Sequence, residues 1–419
     1  MKKEINIAVI GLGYVGLPLF CLLSKYFPCI GIDKDTVRIT QLKDGVDYRE
    51  CENQHNIKMA LQRSLLTSTY SDLTECDVFF VCIPTGIDEN KLPELEPLKN
   101  VCKSLGKILK RGDIVIFEST VFPGATEELC IPILEKYSMM KVNEDFSVGY
   151  SPERINVGDE CHRIVSTPKI ISASNIESLN VMRDIYSTIL DAPVIEASSI
   201  KIAETAKMYE NVQRDVLIAL ANEYADFCKS EGININEVTE CAASKWNFAK
   251  VNPGLVGGHC IGVDTYYLMK RAKDKKQSLN LVQTARHINE AEPKKVATRI
   301  KDYAVSINAQ RILLLGFSYK ANTPDCRNTK VADVYNELKR HCLVVDCFDP
   351  LVDTKKVCKD YRISIIHSKE EVQTDYDLVV QLVNHNVFNE MGFADATFIK
   401  LNDYPHVVRL YVLDLKSVL

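Results

Sequence analysis

The 419-residue chain has no excess of positive charge, no block of like charges and no low-complexity tract. Lys and Arg number 51 against 56 Asp and Glu, a net charge of −5, which leaves no electrostatic reason to expect nucleic acid as the partner. No HExxH, paired CxxC or EF-hand pattern appears, and no metal is expected. With 46% hydrophobic and 26% charged residues, the composition excludes a disordered or collagen-like chain. The 15 cysteines are odd in number, scattered, and mostly set in apolar runs such as DVFFVCIPT. That pattern argues against a disulfide framework and for a reducing, cytoplasmic setting. One uncharged stretch, residues 5–24, reaches the length of a membrane span. Its three glycines, its proline and its β-rich start argue against a membrane or export segment.

At about 150 residues per domain, the length gives two or three domains. The first third alternates apolar runs (INIAVIG, CIGID, DVFFVCIP, DIVIFEST, DFSVGYSPE) with helical stretches, which reads as a parallel sheet covered on both faces. Gly11, Asp33, Thr85, Ser119, Thr120 and Glu153 fall where these strands end, the edge at which open α/β sheets bind ligands. A segment from about Ser199 to Glu231 has no proline or glycine and repeats apolar residues at helical spacing. Beyond about residue 305 the pattern returns: RILLLGF, a polar loop, TKVADVYNELKRH, LVVDCFDP and DYDLVVQLVNH. The expected class is therefore α/β: two doubly wound, Rossmann-like parallel-sheet domains joined by a long central helix, with boundaries at 1–196, 197–304 and 305–419.

Gly11, Gly13 and Gly16 lie between a strand and a helix, and Asp33 closes the next strand. The first glycine permits a tight turn, the second lets a pyrophosphate approach the backbone, and the third allows close helix packing. Tyr14 and Val15 lie within the same turn. Asp33 would accept hydrogen bonds from ribose hydroxyls and repel a 2′-phosphate, which favours NAD. Arg38, also expected at the cofactor, and Lys34 keep NADP open. In the long helix, Lys207, Asn211 and Arg214 share a face. A solvated helix face fits that spacing, and so does a pair, Lys207 and Asn211, directed at an oxygen undergoing oxidation. Cys260 follows a glycine-rich loop, NPGLVGGH, and precedes Asp264 by four residues. A positioned thiol there can act as a nucleophile, or it can be a buried cysteine in a turn; His259 reads as structural. Lys320 and Arg327 lie in a polar loop leaving a strand, placed to meet phosphates, with Asp325 orienting one of them.

Together, IAVIGLGYVGLPL, FESTVFPGAT, YSPERINVGD, AKMYENVQRD, NPGLVGGHCIGVD and GFSYKANTPDCRNTKV resemble the UDP-glucose/GDP-mannose dehydrogenase family over essentially the full length. The GGHCIGVD form resembles the branch acting on UDP-N-acetylhexosamines, with UDP-N-acetylglucosamine the first choice. UDP-glucose, UDP-N-acetylmannosamine and UDP-N-acetylgalactosamine are the alternatives. The resemblance implies a four-electron oxidation of the sugar C6 alcohol to a carboxylate with NAD, through a thiohemiacetal and a thioester on Cys260, in the supply of surface polysaccharide precursors. It implies that Lys207 and Asn211 stabilise the C6 oxygen, and that Asp264 orients or activates water or Lys207. Glu153 would serve the hydrolytic half, and Thr120 would lie near C6 and the nicotinamide. It also implies Thr85 and Arg327 at the cofactor, Arg154, Gly257 and Lys320 at the substrate, and a homodimer through the long helix. Thr265, Leu217, Asn252 and Val157 depart from the pattern of this branch. Two rivals remain at this point: a two-electron hydroxyacid dehydrogenase and an inactive nucleotide-sugar-binding protein.

Overall fold

A computed structural model describes residues 5–49, 51–154, 164–258, 260–341, 343–373 and 375–391, and the backbone of 398–399 and 409–411. The chain divides into two compact units, 1–210 with 266–276, and 211–265 with 277–419.

The first unit is built on an eight-stranded sheet. Its strands are β1 (Ile7–Ile10), β2 (Cys29–Ile32), β3 (Leu65–Thr67), β4 (Val78–Val81), β7 (Ile114–Phe117), β8 (Ser147–Tyr150), β9 (Lys169–Ala173) and β10 (Val194–Glu196), with a small hairpin of β5 (Gly86–Ile87) and β6 (Pro93–Glu94) beside it. The order is β10-β9-β8-β7-β4-β1-β2-β3. β1, β4 and β7 are buried throughout, as their unbroken apolar runs require of strands covered on both faces. Helices α1 (Gly16–Leu23), α2 (Thr36–Lys43), α3 (Gln54–Leu61), α4 (Glu96–Gly106), α5 (Ile131–Ser138) and α6 (Ile176–Ile189) supply the covers. The uncharged run at residues 5–24 resolves into β1, a turn and α1. Among the described residues no helix is long and apolar enough to cross a membrane.

One expectation needs correction: the sheet is not wholly parallel. β9 runs antiparallel to β8, so these neighbours need no crossover helix, while α6 provides the crossover to β10, which is parallel to β9. β3, β9 and β10 have no continuous apolar run to announce them. β10 sits at the sheet edge, and its burial is partial.

The long helix expected from about 199 to 231 is α7 (Ile200–Ser230), and the boundary between the units falls within it. In the second unit follow α8 (Ile235–Ala243), α9 (Ile261–Asp274), whose later turns belong to the first unit, and α10 (Asn280–Ser306). A five-stranded sheet is then formed by β11 (Arg311–Leu315), β12 (Val344–Phe348), β13 (Leu378–Gln381), β14 (Phe398–Ile399) and β15 (Arg409–Tyr411), with α11 (Val331–Arg340), α12 (Thr354–Tyr361) and α13 (Asn386–Glu390). β12, β11 and β13 are parallel, and β15 and β14 add an antiparallel edge. Alternation along β11 sends Ile312 and Leu314 to one core face and Leu313 and Leu315 to the other.

At the start of α7, the Glu204 carboxylate accepts hydrogen bonds from the backbone amides of Gly124 and Thr126, the latter at 2.9 Å, and is fully buried. Burial, outweighing these amides, raises it from 4.5 to about 7. The folded chain therefore binds the proton more tightly than the unfolded one. This contribution to stability is fully present below pH 4.5 and is lost as pH rises through about 7. Glu204→Gln, which cannot ionise, is expected to flatten that part of the Tm-versus-pH curve; an unchanged slope in thermal melts would contradict the assignment.

Candidate active site

The residues expected to do chemistry fall in both units. In the first, β1 delivers the chain into the glycine turn. Gly11 has φ +90°, and a Cβ there would lie 2.9 Å from the Cys82 carbonyl oxygen. At Gly16 a Cβ would lie 1.8 Å from the Gly11 oxygen, whereas at Gly13 nothing lies closer than 3.9 Å. Gly16 thus closes the turn on itself, Gly11 lets it pass the end of β4, and Gly13 leaves its outer surface open. Tyr14 and Val15 lead into α1, Val15 at its N-cap. The Asp33 carboxylate receives the Leu12 amide at 2.9 Å and the Asp35 amide at 3.0 Å, holding the acid beside the turn. A backbone cradle that Cβ atoms would fill, with a carboxylate at its edge, fits a dinucleotide. Arg38 is placed differently from its sequence reading. It is 2% exposed, donates from Nε to the Leu12 oxygen at 3.1 Å and forms an ion pair with buried Asp47. It supports the turn from beneath, which leaves exposed Lys34 as the remaining cation of the NADP alternative. Thr85 donates to the Thr120 carbonyl at 2.6 Å, tying the ends of β4 and β7 together.

Glu153 leaves β8 with Oε1 accepting the Arg154 amide at 2.6 Å and Oε2 2.9 Å from Lys169 Nζ. The Arg154 guanidinium pairs with Glu210 at 2.7 Å and donates to the Pro168 oxygen at 3.1 Å. Residues 155–163, with Val157, lie outside the described residues. Lys207 is 7% exposed, so α7 does not present it as part of a solvated face, and its ammonium has no hydrogen-bond or ion-pair partner among the described residues. Arg214, in contrast, is exposed.

In the second unit, Asn211 Nδ2 donates to Asp264 Oδ2, joining α7 to the first turn of α9. One turn further along α7, buried Asp215 receives Arg286 at 2.7 Å, Asn289 at 2.8 Å and Thr265 at 3.2 Å. Burial raises the Asp215 carboxyl even so. Thr265, a departure from the family pattern, is therefore an anchor of α9. Asn222 exchanges two hydrogen bonds with Gly254, at 2.9 and 3.2 Å, fixing the start of the glycine-rich loop. Of the other departures, Leu217 is half-buried and Asn252 exposed.

Cys260 stands immediately before α9, its carbonyl accepting the Val263 and Asp264 amides at 3.1 and 2.9 Å. It is exposed, which excludes the reading of a buried cysteine in a turn. Its place at a helix N-terminus favours negative charge on sulfur. Burial pushes the thiols of Cys82 and Cys347 well up, as suits inert core cysteines. The loop glycines have a reason that the sequence did not show. A Cβ at Gly257 would lie 2.9 Å from the Asn328 oxygen, at Gly258 2.7 Å from the Tyr319 ring, and at Gly262 2.8 Å from Asn328 Nδ2. They admit the 319–328 loop. His259 lies outside the described residues.

A cavity of about 190 Å³ opens in this unit between Gly254–Gly257 and the loops after β11 and β13, lined also by Ser318, Tyr319, Lys320, Lys330 and Asn384. Lys320 Nζ lies 5.7 Å from the Tyr319 ring centre. Arg327 forks onto buried Asp325 at 2.6 to 3.0 Å, the orientation expected of that acid. Sequence reading missed the clamp behind the cavity. His385 Nδ1 accepts the Asn322 amide at 2.9 Å, so Nε2 carries the proton toward Asp349 Oδ2 at 3.1 Å and Ser318 Oγ at 3.2 Å. All three side chains are fully buried. Burial alone would raise Asp349, but His385 and the Phe317 and Leu351 amides hold it below its usual value. DYDLVVQLVNH was read only as a strand, and nothing local marks its final histidine as a partner of residues 36 and 67 positions away.

The chain matches the UDP-glucose/GDP-mannose dehydrogenase family throughout: its NAD binding domain over residues 5–190, its central domain over 201–291 and its UDP binding domain over 313–414. It is similar to a UDP-N-acetyl-D-glucosamine 6-dehydrogenase of Pseudomonas aeruginosa, 42% identical over 421 residues, covering 100% of this chain and 98% of the relative. A second, from Salmonella typhi, is 41% identical, covering 94% and 92%. Among solved structures, a UDP-D-ManNAc dehydrogenase from Pyrococcus horikoshii superposes with a TM-score of 0.85 at 28% identity, covering 93% of this chain and 92% of that one.

Because a methyl at position 16 would collide with the Gly11 oxygen, Gly16→Ala is expected to cost about 1–3 kcal/mol of stability. It should also weaken NAD⁺ binding by at least roughly tenfold, an effect of about 1.4 kcal/mol, while UDP binding by the second unit stays unchanged. Calorimetric titration of the full chain with each nucleotide reads both effects; wild-type NAD⁺ affinity in the variant would contradict the account.

Proposed function

The chain belongs to the UDP-glucose/GDP-mannose dehydrogenase family, and from that premise we propose that it oxidises UDP-N-acetylglucosamine at C6 to the uronate, supplying precursors of surface polysaccharide. The substrate choice is supported by relatives of that name that are 41–42% identical over nearly the whole chain. The observation that carries the chemistry is Cys260: an exposed thiol at the N-terminus of α9, one helical turn from an Asp264 already bonded to Asn211.

The turn of Gly11, Gly13 and Gly16, with Asp33, holds the dinucleotide. NAD⁺ bound there supplies the hydride acceptor for both oxidations. Lys207 and Asn211 stabilise the C6 oxygen as the alcohol loses its proton, an effect worth about 10² to 10³ for a single donor. The Cys260 sulfur adds to the resulting aldehyde. Addition is required because it turns the carbonyl carbon back into a tetrahedral one bearing a hydroxyl, whose oxygen can re-form the carbonyl as the second hydride leaves. Water then displaces sulfur from the thioester, with Glu153 in the hydrolytic half and Asp264 orienting water or Lys207. Thr120 lies near C6. Lys320, Arg154 and Gly257 contact the nucleotide sugar, and Arg327 and Thr85 contact the cofactor. One alcohol and one water, with two NAD⁺, give one carboxylate, two NADH and three protons.

We also place the enzyme in the cytoplasm as a homodimer through α7. No disulfide joins the described cysteines, which suits a reducing compartment. Leu220, Tyr224 and Phe227 lie exposed at helical spacing on α7, an apolar stripe of the kind a second copy covers.

Two NADH per UDP-N-acetylglucosamine are expected at 340 nm, and a panel of UDP-hexosamines ranks the epimers. Cys260→Ala should lower carboxylate formation by on the order of 10³-fold or more. One NADH per sugar would favour the two-electron alternative, whereas near wild-type carboxylate formation by Cys260→Ala would overturn the covalent route through sulfur. Tight sugar-nucleotide binding with no NADH would favour a binding protein.

A further inference from the structure

Behind Glu153 lies a buried charge cluster contained wholly in the first unit. Lys169, the first residue of β9, places Nζ 2.7 Å from Glu118 Oε2 and 2.9 Å from Glu153 Oε2. The Glu118 side chain is 0% exposed, Lys169 8% and Glu153 13%. Tyr186, from α6, donates its hydroxyl to the other Glu118 oxygen, and its ring centre lies 5.5 Å from the ammonium. The cluster thus joins the end of β7, the loop after β8, the start of β9 and α6. It was not legible in the sequence, where its four members are spread over residues 118 to 186.

Among the described residues, this one ammonium bridges two carboxylates out of water, where burial penalises the charged form of an acid. Burial accordingly raises the Glu118 carboxyl, with Lys169 opposing and Glu153 adding to the effect. The two carboxylates share the Lys169 ammonium.

We propose that Lys169 is a positioning residue for Glu153: it fixes one carboxylate oxygen and keeps Glu153 ionised, so that Glu153 can accept the proton of the water that cleaves the thioester. The proposal rests on the reading of Glu153 as the residue of the hydrolytic half. In that step the water oxygen bonds to the acyl carbon, the carbon–sulfur bond breaks, and the thiolate leaves. Glu153 takes the water's proton, and no oxidant is consumed. Glu118, Lys169 and the Arg154 amide face Glu153, while the Cys82 thiol lies close enough to sense the Glu118, Lys169 and Glu153 charges. Without Lys169, Glu153 would lose a cation 2.9 Å away while Glu118 stays nearby, a change that favours its protonated form.

The test follows single turnovers of UDP-N-acetylglucosamine by NADH absorbance and by intact mass, across pH, in the full-length enzyme. Lys169→Met should keep an NADH burst, accumulate acyl-enzyme, hydrolyse it roughly 10²-fold more slowly and move the hydrolysis profile to higher pH. Lys169→Arg should recover most of that rate. Glu118→Gln removes the neighbouring carboxylate, so it should move the profile to lower pH, and it decides the question if Lys169→Met does not fold. Glu153→Gln serves as the reference. If it accumulates acyl-enzyme while the Lys169 and Glu118 variants keep the wild-type profile, the role given to Lys169 is overturned. If Glu153→Gln itself accumulates none, the reading of Glu153 fails, and the proposal with it.

Discussion

The placement of the reactive thiol depends on a buried carboxylate, Asp215, that reaches none of the chemistry itself. On α7 it gathers Arg286 and Asn289 from α10 and Thr265 from α9, so three helices are fixed by one charge. α9 begins at the residue after Cys260, and Asp264 lies in its first turn. A shift of that helix would move nucleophile and acid together. A carboxylate with no exposed surface tolerates such a position only while its partners remain, since removing one partner of a buried pair typically costs about 3–5 kcal/mol. Asn211 on one side and Asn222 on the other extend the same arrangement along α7, the first to Asp264 and the second to Gly254.

The same logic of close approach explains both glycine loops, for different reasons. At Gly16 the turn folds against its own backbone and at Gly11 against the Cys82 carbonyl, while Gly13 leaves open the side that a cofactor pyrophosphate can approach. At Gly257, Gly258 and Gly262 the space is occupied by Tyr319 and Asn328 of the same unit. The second loop is therefore braced before any ligand arrives, which suits a thiol that must meet an aldehyde in a fixed geometry.

Signals local in the chain were legible from the sequence. The strands ending at Gly11, Asp33 and Glu153, the glycine spacing, the helix over 200–230 and the solitary character of Cys260 all follow from apolar periodicity and residue chemistry over short windows. What was missed is long-range. Lys169 reads as an unremarkable cation at the start of a short strand until β9 pairs with β8 and sets it between Glu118 and Glu153. His385 acquires meaning only when β13 lies beside β11. Arg38, expected at the cofactor, instead finds its partner in Asp47 beyond α2, and the pair turns inward. The antiparallel step between β8 and β9 was missed because strand direction depends on the connection rather than on the strand.

Everything in this account converges on sulfur chemistry at Cys260, the step that separates a four-electron oxidation from a simple alcohol dehydrogenation. The most direct test is rapid chemical quench of the wild-type enzyme during turnover with UDP-N-acetylglucosamine and NAD⁺, followed by peptide mapping. The account predicts a transient adduct on the peptide carrying Cys260, with the mass of the substrate less four hydrogens, forming and decaying at rates that sustain steady turnover. Full carboxylate flux with that peptide unmodified at every time point would contradict it.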